Sequence, residues 1–265
     1  INSKREIIGS FSAASNVTGI ISDYKKIYVM MKRYGATVAF DAASFSSHDN
    51  LDADYFDALF LSPHKLLGGV GSCGLLAIRK ELVKSDKPAF AAGGTVSYVS
   101  RSSHFFAPSV ERTEEGGTQH VMGLIRASLA YRLRNEVGLD VIKSREDELA
   151  RLFCEGLDKI PEVVSYCPRG VPRLPIFAFN VKGVSPYDFA EALSEDYGVQ
   201  TRAGCACAGP YGHDLLGLKD DQKFDQKPGW VRVSLHYSHT QKDVAYLLKA
   251  IKKTIKKFKT KRDKK

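Results

Sequence analysis

Apolar positions along the first half of the chain come in two rhythms. Four short runs, "EIIGSFS" (6–12), "TVAFD" (37–41), "YFDALFLS" (55–62) and "CGLLAIR" (73–79), read as buried strands. Between the first two, "ISDYKKIYVMMKRYG" (21–35) spaces its apolar residues as an amphipathic helix does and closes on Gly35. Strand, helix, strand with nearly continuous apolar strands predicts an α/β layer on a mostly parallel sheet. In such a sheet the chemistry collects at the carboxyl ends of the strands, where Asp41 and Lys65 stand.

Residues 83–117 are richer in Ser, Gly and Pro and read as surface loops. A long helix is predicted over 118–137, closed by Gly138, and a second over 141–157. After these come strands in "VVSYC" and "PIFAFNV", a helix in "PYDFAEALSEDY", a strand in "VQTR" and a loop in "AGCACAGPYG". A strand in "GWVRVSLH" and a helix from 240 to 258 complete the order. This predicts a large domain over 1–140 and a small C-terminal α+β domain over 141–265.

Composition adds few constraints. With 43% hydrophobic and 26% charged residues, the 265-residue chain can bury a substantial core. No run approaches about 18 apolar residues, so no membrane span is expected. No charged-then-apolar leader opens the chain, so no targeting signal is visible. The net charge of +9 resides in one place: 249–265, "KAIKKTIKKFKTKRDKK", holds ten Lys or Arg and one Asp. That basic tail reads as a solvated helix end, with Lys near the negative pole of the helix, and nucleic acid is not the expected partner. Five cysteines at irregular spacing do not form a disulfide framework, so the cytoplasm or another reducing compartment is expected. No histidine pair has metal-ligand spacing, and no metal is expected.

Candidate chemistry centres on "SPHKLLGG" (62–69). An ammonium at the end of a buried strand is costly unless it is paired or used in its neutral form. Asp41 at a nearby strand end supplies either a structural ion pair or a functional partner. Ser62 and His64 suit a phosphate, and Gly68 and Gly69 let the backbone turn tightly behind the lysine. A Schiff-base lysine with an aspartate for a pyridinium nitrogen is how proteins hold pyridoxal phosphate.

"SNVTG", "VAFDAAS" with Asp41 25 residues after Asn16, "SPHKLLGG", "ERTEEGGTQ", "RAGCACAGP" and "RVSLHYSHT" occur in that order. Together they resemble the class V aminotransferase family of pyridoxal-phosphate enzymes, fold type I, and within it the cysteine desulfurase and selenocysteine lyase group. The resemblance implies the large domain of a pyridoxal-phosphate-dependent transferase, incomplete here, followed by the small domain. It implies that Lys65 forms the Schiff base with pyridoxal 5'-phosphate and that Asp41 pairs with the pyridine nitrogen. Asn16 would hydrogen-bond near the ring's phenolic oxygen. Ser62 and His64 would contact the phosphate, and Thr118 would reach it from a neighbouring subunit, so that a homodimer is expected. Arg202 would clamp the α-carboxylate of a small amino-acid substrate. Cys207, five residues later, would accept sulfur or selenium from cysteine or selenocysteine as a persulfide, leaving alanine and passing the sulfur to an acceptor protein.

Three departures qualify what the resemblance implies. Ser44 stands where the family usually has a glutamine contacting the ring oxygen, and it is too short for the same contact. Cys205 and Ala206 replace the histidines usual before the sulfur-accepting cysteine, so either Cys205 or Cys207 can be the nucleophile. Family members carry a longer segment ahead of Asn16 that completes the phosphate cradle, so weak cofactor binding is expected of this chain by itself. Transamination, epimerisation and kynureninase-like cleavage stay open as alternatives. So does a non-catalytic fragment that retains the fold.

Overall fold

The computed structural model describes residues 6–219 and 227–262, and the end of the basic tail, 263–265, lies outside the described residues. The chain divides into two compact units, one of 1–13 with 23–136 and one of 14–22 with 137–265. The architecture is mixed α/β, as the apolar rhythm predicts.

In the first unit, β1 (Ile8–Ser12), β2 (Thr37–Asp41), β3 (Ala58–Leu61) and β4 (Leu75–Ile78) form a sheet in that order. β1 pairs with β2, and β2 with β3, in parallel; β4 returns antiparallel along β3. Helix α1 (Tyr24–Lys32) connects β1 to β2, and the Asp23 carboxylate caps it by accepting from the Lys26 amide. Residues 83–117 are not all loop: β5 (Val96–Val99) and β6 (His104–Phe106) make an antiparallel hairpin, followed by α2 (Val110–Glu114). Helix α3 (Val121–Val137) starts three residues later than the sequence predicts and buries only Gly123, Ala127, Ala130 and Arg134.

The strand assignments hold, but the expectation that all four strands are buried does not. Val38, Ala39 and Phe40 of β2 are buried, whereas Phe60, Leu76 and Ile78 are exposed. Phe60 pairs with Leu76, and Ala58 with Ile78, so the exposed residues share one face of the sheet. An apolar run records that a strand can be buried on both faces and not that both are covered.

In the second unit, helix α4 (Leu139–Asp158) precedes β7 (Val163–Ser165) and β8 (Ile176–Val181). Then come α5 (Pro186–Tyr197), β9 (Arg202–Gly204), α6 (Gly209–Leu216), β10 (Trp230–Ser234) and α7 (Gln241–Arg262). The sheet runs β7-β8-β10-β9, antiparallel throughout. Phe153 and Leu149 of α4, Phe189 and Leu193 of α5, and Ile251 of α7 pack on Phe177, Phe179 and Val231 of the sheet as one core. The segment 14–22 joins this unit through backbone bonds from Leu174 N–H to the Gly19 carbonyl (2.7 Å) and from Ile21 N–H to that of Pro172 (3.0 Å). Gly19 sits at φ +74, and a side chain there would meet the Leu174 carbonyl oxygen at 2.6 Å. No helix of the described residues is long and apolar enough to cross a membrane.

Asp57 fixes the register of the first sheet. Its side chain is 4% exposed and accepts from Lys32 Nζ (2.9 Å), the Val38 amide (2.8 Å) and the Tyr28 hydroxyl (3.3 Å), with Arg79 Nε at 3.3 Å. Burial alone would raise the carboxyl pKa, but the lysine, the amide and the hydroxyl outweigh it and hold the value below the ordinary one. A carboxylate whose pKa is depressed by folding stabilises above its unfolded pKa and loses that contribution as the pH falls below about 4. Asp57→Asn is therefore expected to cost about 2–3 kcal/mol at neutral pH and to flatten the acid limb of the stability profile, measured by urea denaturation from neutral to acid pH.

Candidate active site

Because β1, β2 and β3 are parallel, their carboxyl ends share one edge of the sheet. Asp41 is the last residue of β2, paired in register with Phe60. Its Oδ1 accepts from the Ala43 amide at 2.8 Å, and its carbonyl accepts from the Ala13 amide at 2.8 Å. β3 ends at Leu61, and the chain passes through Ser62 into a single 3-10 turn, Pro63–Lys65. Pro63 suits the first position of such a turn, where no N–H is needed. Gly68 follows at φ +79, and a side chain on Gly69 would lie 1.9 Å from the Pro63 carbonyl oxygen, so the backbone doubles back closely on the turn.

The sequence pattern suggests a buried lysine, and the structure places it in the open. Lys65, His64 and Asp41 are exposed, while Ser62 and Ser44 are half-buried. The strand stops four residues short of Lys65, and the turn carries the amine past the edge of the apolar layer. The cost of burying an ammonium therefore does not arise. Asp41, Ser44, Ser62, His64 and Lys65 thus all belong to the carboxyl edge of one sheet. Thr118 is exposed and lies just ahead of α3. That helix and the residue before it hold the loop after Lys65: Arg126 Nη1 of α3 donates to the Val70 carbonyl at 2.8 Å, and His120 Nε2, one residue ahead of α3, lies 3.1 Å from the Gly71 carbonyl. Sequence reading takes His120 for an ordinary surface histidine.

The other candidates lie in the second unit. Arg202 of β9 faces Arg232 of β10 directly across the antiparallel pair. Like charges placed opposite each other cost stability, so this register calls for an anion. Arg232 is half-buried and donates from Nη1 to the Asn16 carbonyl at 3.0 Å. Burial and then Arg202 pull the Arg232 guanidinium pKa below its ordinary value, and the Cys207 sulfur opposes them. Nothing in the sequence marks Arg232, which lies in a β-strand pattern 30 residues beyond Arg202. Only the register of β9 on β10 brings the two together.

After β9 the chain turns at once. Ala208 N–H bonds back to the Cys205 carbonyl at 3.0 Å, and the two central residues, Ala206 and Cys207, have φ of 49 and 63. Both central residues of a type I′ turn require positive φ, a region that costs an L-residue roughly 1–2 kcal/mol. Asn16 steadies the turn by donating from Nδ2 to the Ala206 carbonyl at 2.7 Å. The half-buried Cys205 thiol donates to the Pro228 carbonyl at 2.9 Å, while Cys207 is exposed. Downstream, "GPYG" is not loop but the start of α6, with Pro210 in its first turn. Asn16, Arg202, Cys205 and Cys207 thus gather with Arg232 in one unit. Among the described residues no group of three or more His, Cys, Asp or Glu side chains could hold a metal ion.

Residues 1–247 match the family model Aminotransferase class-V. The chain is 30% identical over 245 residues to a protein named "Probable cysteine desulfurase" from Pyrococcus abyssi, covering 91% of this chain and 58% of that one. A "Probable cysteine desulfurase" from Staphylococcus aureus is 30% identical over 256 residues, covering 96% and 59%. Among solved structures, the apo cysteine desulfurase of Thermococcus onnurineus NA1 superposes with a TM-score of 0.83 at 30% identity, covering 94% of this chain and 60% of that one. An Escherichia coli cysteine desulfurase gives 0.84 at 28% identity, covering 96% and 60%. The chain spans about three fifths of the length of these relatives.

Left-handed geometry at position 207 makes a substitution pair informative. At an ordinary strand or helix position, Gly is roughly 0.5–1 kcal/mol less stable than Ala. At an exposed residue with φ of 63 the order should invert, with Cys207→Gly at least as stable as Cys207→Ala in thermal denaturation.

Proposed function

Since the chain belongs to the class V aminotransferase family, we propose that it carries catalytic parts of a pyridoxal-phosphate-dependent cysteine desulfurase. What supports this reading above all is one pairing. An exposed carboxylate, Asp41, ends one parallel strand, and an exposed lysine, Lys65, follows the carboxyl end of its neighbour. The donor set there fits the cofactor: an amine for an aldehyde, an acceptor for a pyridinium N–H, and the Ser62 hydroxyl and His64 imidazole for a phosphate. Pyridoxal phosphate, when bound, supplies an electron sink for charge released from the substrate.

Each side chain then has a defined task. Lys65 would hold the cofactor through its amine, and its neutral amine would serve as the base that moves a proton at the substrate. Asp41 keeps the ring nitrogen protonated. Ser62, His64 and Thr118 would donate to the phosphate, the last from a second copy in a homodimer. Asn16 hydrogen-bonds near the phenolic oxygen, and Ser44 lines the ring. Arg202, with Arg232 opposite, holds the substrate α-carboxylate by charge-assisted hydrogen bonds. The Cys207 thiolate would attack the substrate sulfur, forming an S–S bond as the carbon–sulfur bond breaks; the electron pair of that bond stays with the β-carbon, which takes a proton from the site, and alanine leaves. The exposure of Cys207, against the Cys205 thiol already donating to Pro228, favours Cys207 as the acceptor. An exposed persulfide is also accessible to a sulfur-acceptor protein.

The test uses pyridoxal phosphate and L-cysteine. The protein is expected to turn yellow with added cofactor and to lose that absorbance in Lys65→Ala. Alanine and sulfide formation should fall by about 100-fold or more in Cys207→Ala and by less in Cys205→Ala. Full activity in both cysteine variants would sink the persulfide route and return the site to transamination, epimerisation or lyase chemistry. A colourless protein that no addition of cofactor changes would favour a non-catalytic role for the fold.

A further inference from the structure

Arg134 is the buried charged residue of α3, with 5% of its surface exposed. Among the described residues its hydrogen bonds run to carbonyl and amide oxygens, and the Asp49 carboxylate acts on it by charge alone. Nη1 donates to the Ser46 carbonyl and, at 3.5 Å, to that of Asp49; Nη2 donates to Asn50 Oδ1 at 2.6 Å and Asn135 Oδ1 at 3.0 Å. The guanidinium also lies 5.0 Å from the Tyr131 ring centre. A buried cation satisfied by carbonyls is expensive, and burial draws its pKa down. Such a group needs a reason.

The reason lies in the loop it grips. Residues 42–50 leave the end of β2 as two overlapping turns. The Ala42 carbonyl accepts from the Phe45 (3.0 Å) and Ser46 (2.8 Å) amides, and the Phe45 carbonyl from those of His48 (2.9 Å) and Asp49 (3.1 Å). Arg134 closes the far end of these turns by taking the Ser46 carbonyl. At the near end the Ala43 amide holds Asp41 Oδ1. Three successive hydrogen bonds therefore connect the guanidinium to the carboxylate: Arg134 to Ser46, Ser46 to Ala42, and Ala43 to Asp41.

We propose that Arg134 is a positioning residue for Asp41, setting the orientation of its carboxylate through the loop 42–50, and with it the placement of Ser44. The proposal deepens the cofactor reading above and rests on it for its functional meaning. A planar fork with several donors can take the Ser46 carbonyl and the Asn50 amide oxygen together. Lysine offers one ammonium point and methionine none. The order expected is therefore Arg, then Lys, then Met.

Two measurements on Arg134→Met and Arg134→Lys test it. In the cofactor-free protein, amide exchange across 42–50, Ala43 included, should quicken by about tenfold or more in Arg134→Met, and by less in Arg134→Lys, with β1–β3 unchanged. In titrations with pyridoxal phosphate followed by absorbance, Arg134→Met should weaken binding in the parent but add nothing in an Asp41→Asn background. Unchanged exchange across 42–50 overturns the proposal, as does loss of affinity that adds fully to that of Asp41→Asn. If Arg134→Met does not fold, Arg134→Lys decides by the same two readouts. If the parent itself takes up no pyridoxal phosphate, the cofactor reading fails, and the exchange data alone then decide whether Arg134 holds the Asp41 loop.

Discussion

The buried carboxylate of Asp57 is the constraint on which the first sheet depends. One side chain receives a helix lysine, a helix tyrosine, a strand amide and an arginine that follows the last strand, and so joins α1, β2, β3 and the end of β4 at a single point. It lies one residue ahead of β3, beside the amino-terminal half of β2. Once those ends are fixed in register, the parallel ladder dictates what happens at the other edge. Ala39 pairs with Ala58, so Asp41 pairs with Phe60, and Lys65 follows five residues on. The chemistry sits at one end of the strands and its registration at the other, which frees the chemical end to be exposed.

Exposure at that end has to be made compatible with order. The candidate carboxylate closes β2 where a loop begins and the amine lies on the turn after β3, and loops are the least constrained parts of a fold. Here α3 and the residue just ahead of it take hold of both. Arg126 and His120 bind the carbonyls of the 66–72 stretch, and Arg134, two turns further along the helix, binds those of 42–50. Apart from Arg134, the stripe that the helix buries is of small residues, Gly123, Ala127 and Ala130. That stripe leaves Met122, Ile125, Leu129 and Leu133 exposed on other faces of the helix.

How far the sequence reveals this follows from separation along the chain. Asp41 and Lys65 are legible because each ends an apolar run, and period and strand length are local signals. The turn of "SPHKLLGG" is legible for the same reason. What local pattern misses depends on distant pairing. Arg232 meets the Asn16 carbonyl 216 positions away, Asn16 meets Ala206 across 190, and Arg134 meets Ser46 across 88. The misreading of Lys65 as buried has the same origin, since an apolar strand predicts the layer it can join and not where that layer stops. The start of α6 was hidden for a different reason: Gly209 and Pro210 signal a break, yet proline is at home in a helix's first turn.

The second unit gathers its unfavourable features in one short region. Two arginines face each other across β9 and β10, one of them half-buried, and immediately afterwards two consecutive residues adopt left-handed backbone. Neither feature stabilises the fold, and both are held by the same neighbour: Asn16 accepts from Arg232 through its carbonyl and donates to Ala206 through its amide. Beneath them, Trp230, Val17 and Ala178 are fully buried with Ala206, a packing that fixes the turn from below. Strain persists only where surrounding structure over-determines it. A repelling cation pair lowers its energy when an anion arrives, and a tight turn holds a thiol outward beside it without waiting for that anion. The roles proposed for Arg202, Arg232 and Cys207 ask for these two features together, a cation pair short of an anion and a thiol held outward beside it.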